Sequence, residues 1–442
     1  MSEPHRGIEP VLPSNRVFAA PGGSASVHLD ALRGLAAISV MISHWRDLFY
    51  VDYPAFAVHN VFTKAAYLVT GLGHQWVIVF FVLSGYLVGG SVLRAVRSGR
   101  WSWRDYLFLR STRLYVVLLP ALLLGGTADW IGTHLPGSDA IYSGQAGLHE
   151  FTADARPNMT LTVMGANAVF LQTLSLPGMQ GRSIPTFGSN GPLWSLCNEF
   201  WYYIAFPLLV LVWVRRGKGK ASGPERPGSA RQGSARPGSE HSGPNQPGPN
   251  QAVWMRILCV LALIAWAALV GPSVAWLGVT WLTGAAILLL PRWSVRSDRV
   301  HSLAVVVAMG LFFGGLVLHK SRPFLPASIV LGVAVALLIW VTLRQSSMRL
   351  PSVYVRVATW TSHRSYTLYL IHLPMLILCK VALHLPRASV FNGRFFLITL
   401  GLLAATVVYT QGVYWIFERN TDHVRRWLRP YVDGHRRRAV TD

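Results

Sequence analysis

A chain of 442 residues that is 52% hydrophobic and only 13% charged, with membrane-length apolar runs along most of it, reads as an all-α polytopic membrane helical bundle, because each span must satisfy its own backbone hydrogen bonds in lipid. The formal charge of +22 would suggest a nucleic-acid partner in a soluble protein, but here the basic residues sit in connections between spans and set topology, so no nucleic acid is expected. Cys197, Cys259 and Cys379 fall within spans at unrelated spacings, which makes neither a metal motif nor a disulfide framework; no metal is expected.

In chain order, residues 1–28 are polar and turn-rich, with Glu3 and Glu9 and no cleavage pattern after an apolar core. They are expected to form a disordered cytoplasmic N-terminus, with the first span as an uncleaved anchor. Ten spans are predicted, at 29–48, 76–96, 107–132, 192–214, 253–270, 272–290, 300–318, 324–343, 365–384 and 395–417. With the N-terminus inside, an even number of spans brings the C-terminus inside too. The inner connections then hold Arg94, Arg97, Arg100, Arg104, Arg110 and Arg113, followed by Arg215, Arg216, Lys218, Arg292, Arg296, Arg299, Arg344, Arg349, Arg356 and Arg364. The opposite side holds only Lys64, Arg156, Arg182, Lys320, Arg322, Arg387 and Arg394. That bias orients the protein as a multi-pass plasma-membrane protein.

A single membrane domain is expected over 29–420, with an external loop at 133–191. Within that loop, 161–174 is apolar but too short to cross, which fits a re-entrant or interfacial helix, and a loop of this length is a candidate lid over a site. Residues 217–250 repeat RPGSA, RQGSA and RPGSE and read as a disordered cytoplasmic linker, most simply a tolerated insertion. A basic cytoplasmic tail is expected over 421–442.

Five constellations carry chemistry. Arg33 and His44 lie eleven residues apart in the first span, hence ~20° apart around the helix and ~16 Å apart along it. One face at two depths suits a long anionic ligand with proton chemistry at its far end; snorkelling for Arg33 and packing for His44 are the plainer alternatives. Arg110 and Arg113, at i,i+3 where the third span enters the membrane, can clamp a phosphate bidentately at the depth of Arg33, or simply set topology. Glu199 in the fourth span has a depth compatible with a hydrogen bond to His44, which would fix the tautomer of a general base; satisfaction by Trp194, Tyr202 or backbone is the alternative. Ser84-Gly85 lies mid-span, where small residues ordinarily mean close packing. His372, assigned to the inner half of the ninth span with Tyr366, Tyr369 and Pro374 nearby, is either part of a kinked polar cluster or a contact to a bound donor.

Together, the Arg-x10-His pattern within LDALRGLAA, FFVLSGYL at 80–87, Arg-x-x-Arg at Arg110/Arg113, PLWSLCNEFWYY at 192–203 and YTLYLIHLP at 366–374 resemble the acyltransferase 3 family of integral-membrane acyltransferases, over about 29–420. Val116 stands where that family usually has proline, and no fused soluble hydrolase domain is expected after the last span. The resemblance implies transfer of an acyl group, most often acetyl, from cytoplasmic acyl-CoA to a hydroxyl of a carbohydrate, such as a surface polysaccharide, or of a secondary metabolite. No permanently bound cofactor is implied; acyl-CoA, acetyl-CoA above all, is the donor substrate. His44 and Glu199 are then the expected catalytic pair and Arg33, Arg110, Arg113 and His372 the donor site. Trp194, Ser195 and Tyr202 are expected at the substrate. Direct transfer and a covalent acyl-histidine both remain open. A transporter or flippase with a buried charged pathway is the rival from another class.

Overall fold

The computed structural model describes residues 24–146, 148, 154–174, 183–213, 249–291, 297–322, 325–343 and 350–438. The expected linker at 217–250 lies outside the described residues except for its last positions, and residues 1–23 of the expected N-terminal tail lie outside them entirely. Among the described residues, thirteen α-helices follow in order: α1 Ser24–Phe49, α2 Val61–Thr70, α3 Gly73–Arg97, α4 Trp103–Thr133, α5 Asp139–Tyr142, α6 Leu161–Ala168, α7 Leu193–Trp213, α8 Pro249–Ala286, α9 Asp298–Ser321, α10 Leu325–Thr342, α11 Ser352–Ala382, α12 Gly393–Ile416 and α13 Thr421–Arg438. The protein is an all-α multi-pass membrane bundle.

Among the described residues, eight helical stretches are long and apolar enough to cross a membrane, and Pro326–Thr342 is a shorter apolar helix. One of the eight is itself a pair. Within α8, Gly271 has φ 76° and ψ 172° and is followed by Pro272. In a continuous helix, Leu263 and Leu282 would lie ~28 Å apart, yet both line one apolar cavity of ≈ 230 Å³ with Tyr202 and Phe206 of α7. The chain therefore reverses at Gly271, where a left-handed φ favours glycine. The two arms correspond to the fifth and sixth predicted spans.

Burial divides the bundle. The most apolar windows of the α3, α11, α7 and α4 spans are 83%, 72%, 56% and 50% buried, against 17–22% for those of α8, α9 and α12. The first set packs inside; the second turns residues such as Ile264, Val306 and Val408 outward, as lipid-facing spans do. Close approach of α3 and α8 uses small residues. A Cβ on Gly85 would run into the Trp281 carbonyl, and one on Gly284 into the Val82 carbonyl, so the packing reading of Ser84-Gly85 holds for the glycine.

α1 and α11 run parallel. Their side chains meet in the same order along both helices: His28 Nδ1 with the Tyr354 hydroxyl at 2.8 Å, Ser362 Oγ donating to Asp30 at 2.7 Å, and His44 with His372 at 2.7 Å. The first contact explains why α1 starts at Ser24 rather than at 29, because its first turn is fastened to α11. α11 likewise begins thirteen residues before the predicted 365. Arg364 is satisfied there by Gln411 and by the Trp360 and Tyr414 rings, 4.4 and 4.6 Å from its guanidinium, so a polar stretch that ends a hydropathy run does not end the helix.

A proline inside a helix leaves a carbonyl without its helical donor, and for Pro374 and Pro207 that carbonyl is met from another element. Pro374 frees Leu370 O, which accepts from Asn190 Nδ2 at 2.8 Å. Pro207 frees Tyr203 O, which accepts from the Tyr106 hydroxyl at 3.0 Å. With its carbonyl satisfied, α11 continues through Pro374 as helix. Asn190→Ala should cost about 1–3 kcal/mol, the penalty for a buried unmet polar group, read as a lower Tm of the detergent-purified protein. An unchanged Tm would show that water or a backbone shift takes the amide's place.

Above the bundle, the apolar stretch 161–174 forms only the eight-residue α6, followed by turns at Phe170 and Thr173 with φ 58° and 70°. It does not span. Asn167, fully buried, ties the loop down through Val163 O, Pro185 O and Phe187 N, and Phe170 O accepts from both Cys197 and Trp201 of α7. At the opposite end, the start of the expected tail is α13, laid on α4 by Arg425 to Thr112 and Leu109 O and by Arg429 to Asp105 at 2.9 Å.

Candidate active site

A cavity of ≈ 280 Å³ opens among α1, α3, α4, α7 and α11. Its wall holds Arg33, Arg110, Arg113, Ser84, Ser195, Glu199, Tyr203, Tyr366 and Tyr369. Three guanidiniums and one carboxylate leave that wall with two excess positive charges, in a setting where apolar neighbours such as Phe80, Leu83 and Leu114 weaken solvent screening.

Arg110 is braced directly. Arg110 donates to Ser91 Oγ at 2.7 Å and lies over the Tyr106 and Tyr203 rings at 5.6 and 5.7 Å; its buried Nε has no protein partner. Arg33 is within electrostatic reach of Arg113, Asp30 and Glu199. Glu418, past the end of α12, accepts from the Thr367 hydroxyl and backbone N–H and is felt by Arg113 and Arg33. The depth match predicted for the three arginines is real, since they meet in one cavity. An unpaired buried N–H beside excess positive charge is what an incoming anionic oxygen would satisfy.

The carboxylate is placed differently from expectation. Glu199 accepts from Ser84 Oγ at 2.6 Å and from the Tyr203 hydroxyl, and Ser84 Oγ in turn receives the Trp281 indole N–H at 3.2 Å. It faces α3 and its own i+4 neighbour, not His44. The partner of His44 is His372: Nδ1 to Nε2 is 2.7 Å, the rings are 8° from parallel with centroids 5.0 Å apart, and His372 Nδ1 lies 2.8 Å from Leu368 O. His372 is fully buried and His44 is 8% exposed.

His372 also differs from its expected depth. Counted from Ser352 it is twenty residues along α11, ~30 Å from that end, so it sits at the level of His44, away from the arginines. Neither histidine lines the arginine cavity. The link is Tyr369, which lines the cavity, receives or gives a 2.7 Å hydrogen bond with Ser195 Oγ, and has its ring 6.3 Å from that of His372.

A family model for an acyltransferase domain matches residues 27–415. The chain belongs to the acyltransferase 3 family. No curated protein and no solved structure matches it. This membership makes the protein a membrane acyltransferase, not the transporter that buried charges alone would also allow.

Of the residues expected at the acyltransferase's substrate, Ser195 lines the cavity, while the other two do not. Trp194 stacks on His74 with centroids 5.5 Å apart. Tyr202 points away from the cavity, donating to Val274 O at 2.8 Å and lining the apolar cavity at the α8 reversal. Their alternation follows from the helix: Ser195, Glu199 and Tyr203 recur at i,i+4 on one face, and Tyr202, one residue before Tyr203, is about 100° off it. That spacing could have singled out Tyr203 from sequence. Ser91 and Glu418 carried no such signal, because their roles depend on which helices meet.

Proposed function

We infer that this acyltransferase moves an acyl group, acetyl in the simplest case, from cytoplasmic acyl-CoA to a hydroxyl of a carbohydrate or secondary metabolite, as an O-acyltransferase of the plasma membrane. The observation that carries the reading is one cavity walled by Arg33, Arg110 and Arg113 whose far end, at Ser195 and Tyr369, adjoins the histidine pair. The phosphates of the donor engage the guanidiniums from the arginine-rich side, and bidentate, charge-assisted bonds favour them there. The pantetheine arm runs outward past Ser195 and Tyr369, whose hydroxyls can donate to the thioester oxygen as charge develops on it.

His44 acts as general base. Its imidazole takes the proton of the acceptor hydroxyl, the oxygen attacks the thioester carbonyl, the C–S bond breaks, and the leaving thiolate takes the proton back. The acceptor enters from the opposite side, beneath the loop that Asn167 ties down. Glu199 works at the donor end, where it balances Arg33 and holds Ser84 and Tyr203.

Titration of purified protein with acetyl-CoA and with acetyl-pantetheine, which lacks the nucleotide phosphates, tests the reading. Acetyl-CoA should bind at least about tenfold more tightly, the equivalent of ~1.4 kcal/mol. Equal affinities would remove the arginine cavity from donor binding.

A further inference from the structure

We propose that His372 is a positioning residue for the reaction: anchored by a backbone carbonyl, it holds the imidazole of His44 with Nδ1 as donor and Nε2 as the basic nitrogen. The proposal rests on His44 being the base, and it replaces the donor contact expected of His372 from sequence.

The protons follow from the acceptors. Leu368 O, 2.8 Å from His372 Nδ1, can only accept, so His372 carries its proton on Nδ1. In a neutral ring the lone pair is then on Nε2. That Nε2 lies 2.7 Å from His44 Nδ1, so His44 Nδ1 must donate, and the lone pair of His44 falls on Nε2. One carbonyl thus sets two tautomers in series. The near-parallel rings, 8° apart with centroids 5.0 Å apart, place the 2.7 Å hydrogen bond close to both ring planes, the alignment that an N–H···N bond prefers.

The anchor is itself held. α11 is pinned on both sides of Leu368, by Ser362 to Asp30 and by Asn190 to Leu370 O. His372 is 0% exposed, so water does not compete for either nitrogen. A carboxylate in this position would orient the base and also stabilise its imidazolium by charge. A neutral imidazole orients it at a smaller desolvation cost inside a membrane span, and Glu199, the carboxylate expected there from sequence, is committed to Ser84 and Tyr203.

The test compares full-length wild type, His372→Ala, His372→Gln and His44→Ala in membranes, with thiol release from acetyl-CoA as the assay. His372→Ala should lower kcat by about 10–100-fold, as loss of a histidine's orienting partner does at metal sites, with the acetyl-CoA KM within about twofold of wild type. His372→Gln should recover most of the rate, because its amide oxygen can accept from His44 Nδ1. A rise in donor KM at unchanged kcat would return His372 to the donor site and overturn the proposal. So would a His372→Ala kcat within twofold of wild type, or a folded His372→Gln no faster than His372→Ala. Inactive His44→Ala beside unaffected His372→Ala sinks this proposal alone, whereas active His44→Ala sinks the base itself and this proposal with it. Should His372→Ala not fold, nitrogen-15 histidine spectra of wild type decide: the expected result is a proton on Nδ1 of both rings, and a proton on Nε2 of His372 overturns the relay.

Discussion

His44→Ala should reduce acyl transfer by about 10²–10⁴-fold, the range that a positioned general base supplies, while the protein folds and still binds acetyl-CoA. The expectation of intact folding comes from the packing around the site. α1 is held to α11 by His28–Tyr354 and Asp30–Ser362 and to α12 by the Trp45 indole N–H on Thr399 O at 2.8 Å, none of which involves His44. Intact donor binding is expected because His44 does not line the arginine cavity. Thiol release and labelled product measured together on one preparation would check both halves. A His44→Ala enzyme with more than about a tenth of wild-type turnover is incompatible with general-base loss of this size.

Arg110→Ala should weaken acetyl-CoA by about 10–100-fold, since a hydrogen bond to a charged group is worth about 1.5–3 kcal/mol and each 1.4 kcal/mol is about tenfold. Arg110 is the better choice than Arg33 or Arg113 because its surroundings are explicit: Ser91 takes one nitrogen, two tyrosine rings flank the guanidinium, and the buried Nε has no protein partner. Arg110→Lys keeps the charge but loses the planar fork and the stacking, so an intermediate affinity is expected. The effect should appear in donor KM before kcat, the reverse of the pattern for His44. Isothermal titration at fixed ionic strength is the measurement, and equal affinity of wild type and Arg110→Ala would move the phosphates elsewhere.

Much of this was legible in the sequence, and the gaps have a common origin. Hydropathy and proline placed the spans, including the break between 270 and 272 that becomes the reversal at Gly271. Depth along a span was also readable, which is why Arg33, Arg110 and Arg113 converge as expected. Azimuth was not. Glu199, expected at the depth of His44, instead lies on the arginine cavity within electrostatic reach of Arg33 and faces Ser84 and Tyr203, because helix rotation and tilt are set by packing that one sequence does not encode locally. His372 failed for a different reason. Its depth was counted from 365, where hydropathy rises, although α11 starts at Ser352 and carries Arg356 and Arg364 within the same helix. A thirteen-residue error in the start is ~20 Å along the axis, enough to move a histidine from the level of the arginines to that of His44. Trp194 and Tyr202 were assigned to the substrate with the rest of their segment, and only the i,i+4 subset Ser195, Glu199 and Tyr203 shares the cavity face.

The proposed division of labour between a phosphate-binding arginine cavity and a separate histidine base is tested most directly by one titration. Acetyl-CoA is added to detergent-purified wild type, Arg110→Ala and His44→Ala at the same moderate salt. The predicted result is saturable binding to wild type, binding of similar affinity to His44→Ala, and at least about tenfold weaker binding to Arg110→Ala. Binding unchanged in Arg110→Ala but lost in a well-folded His44→Ala, or no binding by well-folded wild type, would contradict it.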